Sequence, residues 1–206
     1  MAQPKREIRT LRDQPKIVRS ADGKPKIVGY AARFNELSLD LGGFREKIRP
    51  GAFLAALDRD DVRALYNHDD GKVLGRASAG TLRLFEDDHG LRYEIDPPDA
   101  QWARDLIVSM DRGDIRESSF GFRLSKEEWD ETIDPPVRTI IEVSRLYDVG
   151  PVTFPAYPTT SSDVRSAKEV YDEFRATSGT GPEGTQPSAT WSQQLEQLER
   201  RLLTLA

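Results

Sequence analysis

Cysteine is absent from the 206-residue chain, and its absence excludes several kinds of chemistry. Without cysteine there is no disulfide framework, no thiolate nucleophile and no cysteine-ligated zinc site. Histidine is also scarce, because His68 and His89 are the only two in the sequence. A mechanism that needs an imidazole base must therefore use one of these two residues. No motif predicts a metal ion or an organic cofactor.

Long hydrophobic runs and an excess of basic charge are missing as well. No apolar run approaches the roughly 20 residues that a membrane span needs, so we expect no membrane partner. The 35 Asp and Glu outnumber the 30 Lys and Arg, which gives a net charge of -5. Proteins that bind the phosphate backbone usually carry a basic excess, so we expect no specific nucleic-acid partner. The N-terminal segment is basic but has no apolar stretch behind it, unlike a secretory signal, and we expect the protein to act where it is made.

The pattern along the chain predicts one domain followed by tail segments. Short alternating runs typical of strands dominate residues 15–157, and helical periodicity interrupts them twice. We therefore predict an α+β fold, built as a mostly antiparallel closed β-barrel with a few flanking helices. This domain is expected to span residues 1–165.

Three further segments are predicted beyond the domain. Residues 166–177 have the pattern of a short helix, and residues 178–190 have the Gly, Pro, Ser and Thr content of a flexible linker. We expect residues 191–206 to form an amphipathic, coiled-coil-like helix. Its apolar seam consists of Trp191, Leu195, Leu198, Leu202 and Leu205. Because so short a helix is marginal alone in water, we expect it to bind a partner chain or another copy of itself.

His68 is the stronger of the two histidine candidates. It follows a segment of strand character and precedes two aspartates and a glycine, so it would lie at a strand end. Rigid scaffolds often present catalytic groups at such positions, although a hairpin histidine without a role is the alternative. His89 lies in an Asp-His-Gly turn, where a histidine is usually a solvated turn residue.

Two adjacent serines form the second candidate feature. In a strand, Ser118 would share the apolar face of Phe120, whereas Ser119 and Gly121 would lie on the opposite face. The glycine would leave space beside the Ser119 hydroxyl for a substrate chain or a histidine ring. The alternative is a strand whose small residues allow another element to pack closely.

Asp148 is the third candidate, as a lone acid among apolar neighbours in segment 146–158. A partly buried carboxylate needs a partner, and an imidazole N–H is one that would suit it. A turn cap or a pairing with an arginine is the commoner use of such a residue.

Together these features resemble the prohead (capsid maturation) serine proteases of tailed bacteriophages, distant relatives of the herpesvirus assemblin protease. Five segments carry the resemblance, in the order found in that family, and they fall within residues 15–165. They are residues 29–34 (GYAARF), 48–53 (IRPGAF), 66–69 (YNHD), 118–122 (SSFGF) and 146–158 (LYDVGPVTFPAYP).

The resemblance implies a role for each candidate. His68 would be the general base, Ser119 the nucleophile and Asp148 the third member of a triad. Herpesvirus relatives use a second histidine in this third role, and no histidine follows Ser119 here. Glu142 is therefore the alternative third member.

The resemblance further implies a herpesvirus-protease-like fold and a serine endopeptidase that acts in the host cytoplasm, inside the assembling prohead. Its substrates would be the major capsid protein with its scaffolding region, and the enzyme itself, which would also self-associate. The competing hypothesis is a non-enzymatic scaffold or capsid-associated assembly module. An esterase is less favoured, because the sequence lacks the Gly-x-Ser-x-Gly elbow of the common hydrolase fold.

Overall fold

The computed structural model describes residues 6–154 and 164–177. Over these residues the chain forms eleven strands and three helices. The strands are β1 (Arg6–Leu11), β2 (Lys16–Arg19), β3 (Pro25–Arg33), β4 (Arg45–Ile48), β5 (Arg63–Leu65), β6 (Val73–Arg76), β7 (Leu82–Glu86), β8 (Gly90–Ile95), β9 (Glu117–Asp130), β10 (Val137–Val152) and β11 (Val164–Arg165). The helices are α1 (Leu54–Arg59), α2 (Gln101–Asp111) and α3 (Ala167–Thr177).

The larger of two sheets has the strand order β11-β1-β9-β10-β5-β6, and β4 also pairs with β10. Its centre is the long antiparallel ribbon of β9 and β10, in which Ser119 lies opposite Gly150. The pairings of β10 with β4 and β5, and of β1 with β11, are parallel. The sheet is therefore mixed, and β9 has a hydrogen-bonded neighbour along both of its edges.

The smaller sheet has the order β2-β3-β8-β7, and all of its pairings are antiparallel. Residues from both sheets belong to one buried hydrophobic cluster, which includes Ile27 and Tyr93 of the smaller sheet and Phe120 and Phe122 of the larger. The rings of Phe120 and Phe122 stack with centroids 4.8 Å apart. This buried face orients β9 so that alternate residues point out of the core.

The prediction of a closed barrel is wrong, although most strand pairings in the described residues are antiparallel, as predicted. Within residues 6–154 and 164–177 the fold is α+β, but the end strands β11 and β6 of the larger sheet, and β2 and β7 of the smaller, are not paired to close either sheet. Alternating burial along a strand shows that one face is covered, but it is the same in open and closed sheets. The pattern therefore indicated strands correctly and carried no information about closure.

The chain divides into two compact units, residues 1–171 and 172–206. Near the end of the first unit, α3 begins with a capping box, in which Ser166 Oγ accepts from the Glu169 N–H and Glu169 Oε2 accepts from the Ser166 N–H. The Tyr171 ring stacks on Phe44, with centroids 5.6 Å apart.

The second unit is described only over residues 172–177, the last turns of α3. The predicted linker at 178–190 and the predicted terminal helix at 191–206 lie outside the described residues. None of the helices in the described part is long and apolar enough to cross a bilayer.

Candidate active site

Ser119 lies on the outward face of β9. Its neighbours Phe120 and Ser118 point into the core, where the Ser118 hydroxyl lies 2.8 Å from the Tyr93 hydroxyl. Period-two alternation therefore turns the Ser119 hydroxyl away from the core, as the sequence predicts. Although Ser119 faces outward from β9, it is fully buried by the residues gathered above it.

His68 lies in the loop between β5 and β6, in an uncommon backbone conformation. Asn67 and His68 both have left-handed φ angles, 55° and 56°. The amide of Asn67 holds this conformation, because its Oδ1 accepts from the Thr153 N–H at 2.8 Å. The Asn67 N–H also donates to the Pro151 carbonyl at 3.1 Å. Non-glycine residues adopt such angles where surrounding contacts enforce them, often at functional sites.

The structure brings together the three residues that the sequence singled out. The Nε2 atom of His68 lies 2.7 Å from Ser119 Oγ. The Nδ1 atom of the same ring contacts Asp148 Oδ2. Because an anionic carboxylate only accepts hydrogen bonds, this contact fixes a proton on Nδ1 and leaves Nε2 free to accept one from Ser119.

Asp148 reaches the outward face through an irregularity in β10. Leu146 is opposite Phe122 and Asp148 is opposite Gly121, so Tyr147 is an extra residue on the β10 side. Such a bulge re-aims the side chains that follow it. The Asp148 side chain is only 2 % exposed, and its second oxygen, Oδ1, accepts from the Arg6 guanidinium. The sequence-based alternatives, an imidazole partner and an arginine partner, both occur.

Gly121 provides space for Asp148 and Arg6, and not the open space that the sequence suggested. A Cβ at this position would lie 2.5 Å from Asp148 Oδ1 and 2.7 Å from Arg6 Nε, both too close for any side chain. The space beside Ser119 is therefore occupied by a carboxylate and a guanidinium, and it is not open to a substrate chain.

The Ser119 hydroxyl has a second acceptor within reach. Its Oγ lies 2.8 Å from the carbonyl oxygen of Arg9 in β1, as well as 2.7 Å from His68 Nε2. A hydroxyl has one proton, so it donates to one of these two acceptors at a time. Strand β1 thus contacts the site twice, through the Arg9 carbonyl and through the Arg6 side chain.

One known protein family matches most of the chain. The profile of the family described as caudovirus prohead serine protease matches residues 14–174. The chain belongs to this family. The resemblance found in the sequence is thereby confirmed.

One relative and one solved structure are similar to the chain. The prohead protease of Enterobacteria phage HK97 is 32% identical over 150 residues, which are 70% of this chain and 62% of that protein. The chain therefore matches less than two thirds of this relative's length. The structure of the bacteriophage T4 capsid assembly protease aligns with a TM-score of 0.47 and 14% identity, over 75% of this chain and 100% of that one.

The two other candidates from the sequence, Glu142 and His89, have partners outside the group of Ser119, His68 and Asp148. Glu142 accepts from the Ser125 hydroxyl and pairs with Lys126, 3.1 Å away, and the Ser125 hydrogen bond is the main reason that its pKa is lowered. The structure therefore does not bring Glu142 to His68. His89 lies in the turn before β8 and packs edge-on against the Tyr30 ring, 6.4 Å between centroids.

Sequence reasoning missed Arg6. Nothing in the basic N-terminal segment distinguishes this arginine from its neighbours, because its role depends on the pairing of β1 with β9. Within residues 6–154 and 164–177, no three His, Asp or Glu side chains are grouped as a metal site would require.

Proposed function

We propose that the chain is a serine endopeptidase with Ser119 as nucleophile, His68 as general base and Asp148 as the residue that orients the imidazole. One observation carries this proposal: the His68 ring lies between the Ser119 hydroxyl, at 2.7 Å, and the Asp148 carboxylate. This is the order of contacts that a hydrogen-bonded serine triad needs, whatever the fold that presents it.

The reaction follows from these contacts. As Ser119 Oγ attacks the scissile carbonyl carbon, its proton passes to His68 Nε2, and Asp148 stabilises the imidazolium that forms. The imidazolium then gives this proton to the leaving amine, and an acyl-enzyme remains. Water attacks the acyl-enzyme after losing a proton to Nε2, and that proton returns to Ser119 Oγ as the new carboxyl end leaves.

The Arg9 carbonyl suggests how the resting site differs from the reacting one. Attack requires that the Ser119 proton point to His68, so the hydroxyl must rotate away from the Arg9 oxygen, 2.8 Å from it. This rotation is a small step for a hydroxyl, whose proton position adapts to its partners. In the resting site the Arg9 carbonyl and His68 Nε2 therefore compete for the one Ser119 proton.

The substrate would cross the outward face of the larger sheet. Because β9 is paired with both β1 and β10, a peptide cannot add as a new strand beside Ser119. We propose that the peptide segments cleaved are those of the major capsid protein, including its scaffolding region, and of the enzyme itself. Membership of the prohead protease family supports this choice, with the assembling prohead in the host cytoplasm as the place of action.

Co-expression with the major capsid protein of the same phage tests the proposal. We expect mass spectrometry to show a shortened capsid protein with the wild-type enzyme and an intact one with Ser119→Ala. Ser118→Ala is the matched control, because its hydroxyl faces Tyr93 in the core, and cleavage should persist. An intact capsid protein with the wild-type chain, or equal loss in both serine variants with folding intact, would favour the non-enzymatic assembly module.

A further inference from the structure

Two neighbouring residues of β10, Tyr147 and Asp148, both contact the guanidinium of Arg6 in β1. The guanidinium carbon of Arg6 lies over the Tyr147 ring, 5.2 Å from its centroid, and Arg6 Nη2 donates to Asp148 Oδ1. A guanidinium within about 6 Å of an aromatic centroid is attracted by the negative face of the ring. Arg6 is therefore held by two side chains, one aromatic and one anionic.

The irregularity in β10 explains how two consecutive residues reach the same partner. In a regular strand, neighbouring side chains point to opposite faces, so only one of Tyr147 and Asp148 could face Arg6. The register of β10 shifts between Leu146 and Asp148, and Tyr147 is the extra residue. Such a bulge re-aims the side chains around it, and here the ring and the carboxylate both reach the arginine.

Gly121 lets the Arg6 side chain cross from β1 to this pair. Strand β9 lies between β1 and β10, so the guanidinium has to pass over it. A Cβ on Gly121 would lie 2.7 Å from both Nε and Nη2 of Arg6, which shows that the guanidinium lies directly over this glycine. The Arg6 side chain is 27% exposed there. A partly shielded cation is attracted by a ring more strongly than a fully solvated one.

We infer that Tyr147 is a positioning residue of the candidate site, which holds the Arg6 guanidinium against Asp148 and so keeps the carboxylate aligned with His68. The inference rests on the proposed function, in which Asp148 orients the imidazole. Asp148 Oδ2 faces His68 Nδ1 and Oδ1 faces Arg6, so a displaced guanidinium frees the carboxylate to turn. The π face of Tyr147 provides this support, and the hydroxyl is not needed for it.

The same ring contacts two other arginines, so its action through Arg6 has to be distinguished from theirs. The guanidinium carbons of Arg123 in β9 and Arg145 in β10 lie 5.5 Å and 5.0 Å from the centroid of the Tyr147 ring. Arg6 pairs with Asp148, which in turn contacts His68, and this connects the ring to the imidazole. Residues that act through one contact show non-additive effects, which a double-mutant cycle measures.

Steady-state peptide cleavage by full-length variants tests the inference. Tyr147→Leu removes the π face, and it should lower kcat about five-fold while changing KM less than about two-fold. Tyr147→Phe keeps the ring and should retain most of kcat. Phe85→Leu is the matched control, because it removes the contact of a ring in the smaller sheet with Arg92, 5.1 Å from the centroid, and kcat should be unchanged. Thermal unfolding checks that each variant folds, and Tyr147→Met replaces Tyr147→Leu if that variant does not.

A double-mutant cycle identifies the arginine through which the ring acts. In the Arg6→Gln background, Tyr147→Leu should lower kcat by less than about two-fold more, because the contact that it removes is already absent. In the Arg145→Gln background, it should still lower kcat about five-fold. A full effect of Tyr147→Leu without Arg6 would overturn the inference, and so would equal kcat in the Leu and Phe variants.

A measurement that needs no catalysis separates this inference from the proposed function. In isotope-labelled Ser119→Ala protein, the NMR signal of the Arg6 Nε–H group is assigned by its loss in Arg6→Gln. Protons above a ring face are shifted upfield, so Tyr147→Leu should move this signal downfield and Tyr147→Phe should leave it nearly in place. An unmoved signal in Tyr147→Leu would contradict the inference alone. An absence of Ser119-dependent cleavage, with the signal moved as expected, would contradict the proposed function alone.

Discussion

Asp148 connects the histidine of the candidate site to strand β1. One carboxylate oxygen faces His68 Nδ1 and the other faces the Arg6 guanidinium, and the whole side chain is buried. A buried carboxylate is tolerated only when such partners compensate for its lost hydration. The same two contacts restrict its rotation, so the position of the His68 ring depends on them.

The choice between the two acidic candidates can be tested by isosteric substitution. Asp148→Asn keeps the shape but removes the negative charge, and it allows the wrong tautomer of His68, so kcat should fall by about 10²–10⁴-fold. Glu142→Gln should leave kcat nearly unchanged, because that carboxylate pairs with Lys126 and Ser125. Peptide cleavage kinetics of the two purified variants provide the measurement. A larger loss in Glu142→Gln would transfer the third role to that residue.

Arg6 is expected to act as a positioning residue, through Asp148. Arg6→Gln removes one charge-assisted hydrogen bond to the carboxylate, which contributes roughly 1.5–3 kcal/mol, so kcat should fall by about ten-fold or more. If its role is to hold Asp148, KM should change little, and Arg6→Lys, which keeps the charge, should recover part of kcat. Steady-state kinetics of both variants test this. Equal kcat in the Gln and Lys variants, or a change confined to KM, would contradict a positioning role.

At the residue scale, the sequence predicted those features of the site that depend only on neighbouring residues. The outward direction of Ser119 followed from strand alternation, and the placement of Asp148 among apolar residues indicated a need for partners. Arg6 could not be found in this way, because its partner lies 142 positions along the chain. The space at Gly121 was interpreted as open for the same reason, since its occupants come from β1 and β10.

At the scale of elements, the loop between β5 and β6 determines where the base lies. His68 can reach Ser119 because two successive residues adopt left-handed angles, and the Asn67 side chain ties this turn to the Thr153 backbone at the end of β10. Asparagine tolerates such angles better than most residues, since its short amide bonds locally to the backbone. The segment was recognised as a strand end from its sequence, but the left-handed turn was not.

Substitutions of Asn67 separate the effect of its amide bonds to Thr153 from the effect of its left-handed backbone. Asn67→Ala loses the amide bonds to Thr153 but keeps a Cβ on a residue with a left-handed φ angle, and we expect about a ten-fold loss of kcat with a modest loss of stability. Asn67→Gly relieves the backbone strain but not the lost bonds, so it should restore stability more than kcat. Thermal unfolding and peptide cleavage are measured on the same samples.

Asn35→Ala is the control for Asn67→Ala, since Asn35 has a similar φ of 58° in the loop between β3 and β4. Its replacement should lower stability without changing kcat. A loss of kcat as large as that of Asn67→Ala would show that general loosening, and not the tie to Thr153, explains the effect.

At the scale of the whole molecule, a buried ion cluster fixes β1 against the centre of the larger sheet. Arg138 of β10 is fully buried and donates to Glu7 of β1 and Glu46 of β4, at 2.8 Å each from Nη1. Arg9 of β1 donates to the same two carboxylates. Burial alone would lower the pKa of Arg138, but Glu46 and Glu7 outweigh it and raise the pKa, so the guanidinium stays charged.

This ion cluster holds β1, and β1 in turn contributes to the candidate active site. Strand β1 supplies both the Arg6 side chain and the Arg9 carbonyl to the site, yet it is not adjacent to β10. The sequence could not predict this connection, because it arises from the order of strands in an open mixed sheet, and alternation alone suggested a closed barrel.

Arg138→Met should therefore destabilise the protein more than most substitutions. Arg138→Met removes one of the two guanidinium groups, those of Arg138 and Arg9, that pair with the buried carboxylates of Glu7 and Glu46. Breaking a buried ion pair in this way costs about 3–5 kcal/mol in the free energy of unfolding. Adding Glu7→Gln removes the excess negative charge, so the double variant should recover part of the loss. Urea denaturation measures the free energy of unfolding of the single and the double variant. Arg112→Met is the control, because the exposed pair of Arg112 with Asp114 contributes little to stability.

Because β1 would loosen first, Arg138→Met should also lose peptide cleavage at urea concentrations below its global unfolding midpoint. Loss of cleavage and global unfolding at the same urea concentration would show that β1 is not the part of the fold that the cluster secures.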